Sequence, residues 1–456
     1  MDDKKNRLPV PERPLRDTLV LSISFLAIFT SYMTIQGLQS SLNQEAGLGI
    51  ISLACLYGAF VVSGIGAASF IKILGAKRSL VIGWVVHTLY VASNFYPTWG
   101  TLIPSSLLLG GVTGPIWTSQ GLYLAANSEA YSRIKNEGMH SALSKLNGIF
   151  FMCFEITHVI GNLISSLVLR QSSNADNANN VTRICGADDC PVTANDTMIE
   201  QPDQNVVYIL LGIFLLCDIF GLCLTVFLLP NLKPRKSNEQ TLPKSLVSCC
   251  TTLADKKMML LIPLFFSYAM NQGLLLTEYT KAYISCSLGV SMVGFIMMCY
   301  GGSTAIFAIL IGHLAQYTGR YFLFVLAMCA DMTMLLVFYF WKPNEHQLYL
   351  FFIIPSLGAL SEAIYLAQFN SLISILFKEK IDSAFANYCT SRALGYTATF
   401  ITGVFMCLRI RLFIAVALVV ISFIGYVGAE FLHSKTKLLQ NRKDDNYASR
   451  DEQTRL

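Results

Sequence analysis

The chain of 456 residues is 54% hydrophobic and 13% charged, with a formal net charge of +5. Soluble domains carry about 25% charge, so this composition excludes a water-soluble globular protein and points to the lipid bilayer. The positive excess is expected to serve membrane topology and attraction to anionic inner-leaflet lipid, not nucleic acid.

Residues 1–16 are polar and basic, broken by Pro9, Pro11 and Pro14, and lack the apolar run of a cleavable secretory signal. They read as a cytosolic tail ahead of a first helix that acts as its own insertion signal. A hydrocarbon core about 30 Å thick takes about 20 apolar residues per helical span. The chain supplies that unit at 17–38, 49–71, 79–96, 101–126, 143–169 and 206–229. A second set follows at 258–279, 288–312, 321–341, 348–376, 384–407 and 412–432. The fold expected is all-α and polytopic, with about twelve transmembrane helices. It divides into an N-terminal six-helix bundle (17–230), a cytosolic linker (231–257), a C-terminal six-helix bundle (258–433) and a cytosolic tail (434–456).

With both termini inside, the cytosolic segments hold about 25 of the 33 basic residues and the outside segments about six. The longest outside loop, 170–205, carries the sequons Asn180-Val181-Thr182 and Asn195-Asp196-Thr197, so Asn180 and Asn195 are candidate glycosylation sites. Cys185 and Cys190 lie in the same loop, close enough to bridge in an oxidising compartment; a link to Cys286 and free thiols are the alternatives. A glycosylated protein of the plasma membrane, or of endosomal membranes, is the expectation. The chain ends Gln453-Thr454-Arg455-Leu456, and a free carboxylate after Thr454 and Leu456 fits the peptides that add a strand to PDZ domains.

The two halves repeat. Gln36-Gly37-Leu38 recurs as Gln272-Gly273-Leu274, Leu48-Gly49 as Leu288-Gly289, and Tyr57-Gly58 as Tyr300-Gly301. Ile103-Pro104-Ser105 recurs as Ile354-Pro355-Ser356, and Gln120 as Gln368. Matches in one order with a slowly drifting offset mark an internal duplication, the way transporter folds are commonly built. The turn Gly312-His313-Leu314-Ala315-Gln316-Tyr317-Thr318-Gly319-Arg320 resembles the loop signature G-x-L-A-D-R-x-G-R of the major facilitator superfamily. Gln316 replaces the acid and Tyr317 the base after it, and Lys72 takes the acid's place in the first-half counterpart, Ala68 to Arg78. A plain connector and a working gate are both open readings of these turns.

Further strings resemble the uncoordinated-ninety-three family, in particular its A-type homologues, a divergent branch of that superfamily. They are Gly37-Leu38-Gln39-Ser40-Ser41-Leu42, Gly161-Asn162-Leu163-Ile164-Ser165-Ser166-Leu167-Val168, Cys185-Gly186-Ala187, Glu278-Tyr279-Thr280, Gln316 to Arg320, and Ala384-Phe385-Ala386-Asn387-Tyr388. The resemblance spans nearly the whole chain. It implies two pseudo-symmetric six-helix bundles and an accessory role, with regulation of a potassium-channel complex in one branch and escort of membrane receptors in another.

Polar side chains inside a bilayer call for a partner, a cavity or a role. Gln36, Gln120, Gln272 and Gln368 fall in the first, fourth, seventh and tenth spans, which line the central cavity of the superfamily the chain resembles. They read as a shared polar pocket or as interhelical hydrogen bonds. Glu155 and His158 share one face of the fifth span; a single E-x-x-H is a weak metal signal, so no metal or other cofactor is expected. Glu362 and Arg392 form a buried ion pair or line a substrate path. Glu278 reads as a local surface pair with Lys281. Asp218 and Asp331 lie in peripheral spans, where each either turns inward to a hydroxyl partner or meets a basic residue of another membrane protein. No catalytic motif is present and no segment outside the bilayer could fold as an enzyme domain. Two functions are left: a channel or receptor accessory protein, and a secondary transporter of a small solute.

Overall fold

The computed structural model describes residues 12–43, 47–169, 185–190, 202–232, 250–377 and 380–454. The N-terminal half contains α1 (Pro14–Leu42), α2 (Leu48–Leu74), α3 (Ala76–Ser93), α4 (Trp99–Lys135), α5 (Met139–Leu169) and α6 (Gln204–Leu228). In the C-terminal half, α7 runs Lys256–Leu288 and includes a π-helical stretch, Leu274–Ser285. Gly319 breaks the helix Ser291–Phe340 into α8 (291–318) and α9 (320–340). A short 3-10 turn, Glu345–Gln347, leads to α10 (Leu348–Leu376), α11 (Ile381–Phe405) and α12 (Leu408–Thr454). No strand occurs among the described residues.

Local chemistry sets several of these boundaries. Pro14 opens α1, where its missing N–H costs nothing, and a reciprocal Thr98 and Thr101 capping box opens α4. The turns between α2 and α3 and between α8 and α9 each pivot on one glycine, Gly75 at φ +85° and Gly319 at φ +70°. An L side chain would be strained there, which is why the repeated basic turns keep a glycine. Pro104 and Pro115 sit inside α4 and Pro355 inside α10. Membrane helices tolerate such prolines because neighbouring helices satisfy the freed backbone groups.

Nine described helices are long and apolar enough to cross a membrane. The helices α3, α4 and α11 fall outside that set, because Lys77, Arg78, the α4 serines, threonines and prolines, and Asp382 and Arg392 lower their hydropathy. They are packed between other helices: α3 on α4 and α6, α4 on α2, and α11 on α2 and α7. The expected seventh span, 258–279, is too short. Thr277, Glu278 and Lys281 look like the start of a loop, but they are buried in the π-helical part of α7.

Small residues bring the helices together. A Cβ on Gly110 of α4 would come within 2.0 Å of the Leu56 carbonyl of α2, and one on Gly161 of α5 within 2.4 Å of the Thr30 carbonyl of α1. Each half has an aromatic core: Phe25, Phe29, Trp84 and Phe150 in the first, and Phe265, Tyr268, Tyr365 and Phe369 in the second.

The halves meet through α1 against α7, α2 against α11 and α5 against α8. Hydrogen bonds joining them gather towards the end that carries the disulfides, called here the disulfide face. Ser40 donates to the Thr277 carbonyl at 3.2 Å, Ser41 bonds Ser285 at 3.0 Å, and Ser166 donates to the Ser291 carbonyl at 3.0 Å.

Candidate functional site

The repeated glutamines have matched partners. Gln36 of α1 donates to the Tyr57 hydroxyl of α2 at 3.0 Å, and the Tyr300 hydroxyl of α8 donates to Gln272 of α7 at 2.8 Å. The two bonds join equivalent helices at equivalent repeat positions. Gln120 and Gln368 are both buried at 7% exposure and make no hydrogen bond to a described residue.

The charges lie midway along the helices. Glu155 of α5, Glu362 of α10 and Arg392 of α11 are half-buried, with Glu362 within electrostatic range of both Glu155 and Arg392. The expected ion pair between Glu362 and Arg392 is not formed. Glu362 accepts instead from the Tyr268 hydroxyl at 2.9 Å, and Arg392 donates to the Tyr388 hydroxyl at 3.3 Å. Glu155 and His158 do not bond each other; the His158 ring stands edge-on to Tyr300 across the junction of the halves, 6.3 Å between centroids. No group of three or more metal-ligating side chains comes together among the described residues.

Aromatic rings close this region on its disulfide side. Tyr57 packs on Tyr396 at 4.7 Å and on Phe400 at 5.3 Å, joining α2 to α11. The adjoining Gly58 would place a Cβ 3.9 Å from Thr397, and Gly294 of α8 fits against the Asn162 carbonyl of α5, where a Cβ would approach to 2.3 Å.

Asp218 and Asp331 do not face outward as a partner surface would require. Asp218 is fully buried, accepting from Ser31 at 2.5 Å and lying 3.1 Å from His87 Nδ1. Asp331, 2% exposed, accepts from Asn271 at 3.1 Å and from Tyr365 at 3.2 Å. Each of these helices turns its acid into its own bundle, where polar groups bond it; the cost of a lone acid in lipid favours that orientation.

The expected bridge between Cys185 and Cys190 is also replaced. Cys185 bonds Cys286 in the last turn of α7, and Cys190 bonds Cys407 between α11 and α12. The reason is how residues 185–190 lie across the C-terminal half. Gly186 N donates to the Ala282 carbonyl and Leu408 N to the Asp189 carbonyl, both at 2.9 Å, which brings each thiol to a different fixed helix end. Cys407 ends an apolar run, so nothing in the sequence around it marks it as a disulfide partner.

Glu278 is likewise no surface partner of Lys281. It is 4% exposed and pairs with Arg411 of α12 at 2.6 Å, while Lys281 pairs with Asp189 at 2.9 Å. Arg409 and Asp188, 3.2 Å apart, extend this cluster to the surface. Asn180, Asn195 and Leu456 lie outside the described residues, and Thr454 is the last residue of α12.

Residues 39–427 match the sequence profile of the family described as ion channel regulatory protein UNC-93. The chain is 34% identical to protein unc-93 homolog A of Xenopus laevis over 92% of its own length and 94% of that protein. It is 33% identical to the Homo sapiens homolog A, covering 94% of this chain and 95% of that one. The Caenorhabditis elegans protein unc-93, named for potassium channel regulation, is 25% identical over 94% of this chain and 62% of its own. Among solved structures, the nucleoside transporter NupG superposes with a TM-score of 0.60 at 13% identity, covering 91% of this chain and 99% of that one. A D-xylose-proton symporter superposes at 0.58 and 13% identity, covering 91% of this chain and 96% of that one. At such identities the likeness is one of fold, the two-bundle arrangement of major facilitator transporters. Matched by the family profile over most of its length, and spanning relatives above 30% identity almost end to end, the chain belongs to the UNC-93 family.

Proposed function

We propose that this protein is a non-enzymatic, multi-pass accessory protein that regulates an ion channel, with a potassium-channel complex as the first candidate and escort of a membrane receptor as the second. The observation that carries the reading is the match over 39–427 to a family described by ion channel regulation. The burial of Asp218 and Asp331 refines it. With both acids engaged inside their bundles, recognition in the membrane falls to apolar helix surface, such as Leu216, Ile219 and Phe220 on α6. Affinity capture from native membrane, followed by co-expression with the captured channel and current recording, tests the reading. Co-purification of a channel whose current changes supports it; a clean monomer without effect on any co-expressed channel overturns it.

The same reading places both termini in the cytosol and the 170–205 loop outside, with glycans on Asn180 and Asn195 and delivery to the plasma membrane or endosomes. The basic-residue asymmetry supports this, as do two disulfides on one face, which suit an oxidising compartment. The Thr454 and Leu456 terminus would offer a PDZ partner a strand to bind. A second reading, a secondary transporter, is favoured by Glu155, Glu362 and Arg392 midway through the bilayer beneath a cross-half aromatic closure. Saturable flux of a defined solute by the reconstituted protein would establish it.

A further inference from the structure

Two opposite charges held in one low-dielectric space should close on each other. Glu362 and Arg392 do not. Each is restrained by a tyrosine hydroxyl, Tyr268 for the acid and Tyr388 for the base. The restraint leaves bonding capacity unused on both. Glu362 Oε2 is buried and has no hydrogen-bond partner among the described residues. Arg392 has five N–H donors and only the 3.3 Å bond to Tyr388 among the described residues. Glu155, on the opposite half, has neither a hydrogen bond nor an ion pair to a described residue. Buried polar groups left without partners carry an uncompensated desolvation cost, so an arrangement that separates acid from base favours an occupant carrying the complementary groups.

We propose that the half-buried side chains Glu155, Glu362 and Arg392, midway along helices of both halves, form a binding site for a small zwitterion, a molecule with one carboxylate and one amine. Its carboxylate accepts from the Arg392 guanidinium, whose planar fork suits bidentate carboxylate recognition. Its ammonium donates to Glu362 and to Glu155 across the junction of the halves. The split charges account for the selectivity: a simple acid would leave the carboxylates unpaired and a simple amine would leave Arg392 unpaired, so each loses part of the stabilisation. Tyr268 and Tyr388 are positioning residues that keep the protein's own acid and base apart. Since the ammonium bridges both halves, occupancy also strengthens their contact. The proposal gives a ligand class to the transporter reading, but binding itself requires no flux, so the two can fail separately.

The test is thermal unfolding of the full-length protein in detergent with glycine, β-alanine and γ-aminobutyrate, against butyrate and butylamine at matched ionic strength. A saturable rise in midpoint of a few degrees is expected with at least one zwitterion, and none with either singly charged control. Arg392→Gln and Glu362→Gln should each weaken the response by about tenfold or more, and Arg392→Lys should keep part of it. Tyr388→Phe, which frees Arg392 to swing onto Glu362, should weaken it as well. Equal shifts with butyrate or butylamine, an unchanged response in Arg392→Gln, or no zwitterion response in the wild type would overturn the site. Flux of one of these zwitterions into proteoliposomes decides the transporter reading; binding without flux identifies the site as a sensor.

Discussion

Glu278 and Arg411 are 4% and 1% exposed, and Arg411 also donates to the Thr399 carbonyl at 2.8 Å. The attraction within such a pair barely offsets its desolvation, yet removing one member strands the other. Arg411→Met is therefore expected to destabilise the protein by about 3–5 kcal/mol, and Glu278→Gln with Arg411→Met to recover most of that loss, read as unfolding midpoints in detergent. A double variant as unstable as the single one would refute the pairing. The sequence did not disclose this bond: Lys281, one helical turn from Glu278, is the obvious partner, whereas Arg411 lies five helices away. The glutamines were more legible, since Gln36 with Tyr57 and Gln272 with Tyr300 stand at matching places in the two repeats. Their presence could be read from the duplication, but the bond between each glutamine and its tyrosine could not. For Asp218 the sequence indicates a place within the sixth span but not its partners. Hydropathy gives a residue its depth in the bilayer, not the direction it faces, and His87 and Ser31 lie on two other helices.

Among the helices, close packing turns on single glycines. Gly110 of α4 is buried with the Leu56 carbonyl of α2 2.0 Å from where its Cβ would stand, whereas an added Cβ on Gly111 would meet nothing within 4 Å. Gly110→Ala should force α2 and α4 apart and cost about 1–3 kcal/mol. Gly111→Ala should be neutral or stabilising by up to about 1 kcal/mol through helix propensity. Unfolding midpoints of the two neighbouring variants, compared side by side, check this; equal effects would place the contact elsewhere. The helices themselves were readable from apolar runs, including α3, α4 and α11, which stay less apolar because other helices cover them. The reading failed in α7, where a π-helical stretch carries Thr277, Glu278 and Lys281 inside the protein. A widened helical turn of this kind often marks a functional place, and the polar groups it contains imitate a helix end.

On the scale of the molecule, the duplication and the even number of spans came directly from the sequence, while the closure between the halves did not, since it depends on residues paired across the repeat. The disulfides are one part of it. Non-reducing peptide mapping is expected to recover Cys185 linked to Cys286 and Cys190 linked to Cys407; an intact Cys185 to Cys190 bridge would reject that arrangement. These bonds fasten residues 185–190 to the C-terminal half, to which Cys286 and Cys407 both belong, and no disulfide among the described residues ends on a helix of the N-terminal bundle. Locking must come from the helices. Gly58 and Thr397 face each other where Tyr57 packs on Tyr396, so cysteines placed at both positions can be joined by a short bis-methanethiosulfonate reagent, whose disulfide links are reducible, with each single substitution as the control for the native free thiols. Alternating access requires these helices to part. An accessory protein that presents its lipid-facing surface does not. The cross-linked protein is therefore expected to retain its channel partner in affinity capture and its effect on current. Loss of both on cross-linking, with recovery on reduction, would show instead that the regulator works by opening at this face, and abolition of a measured solute flux by the same link would establish the transporter reading.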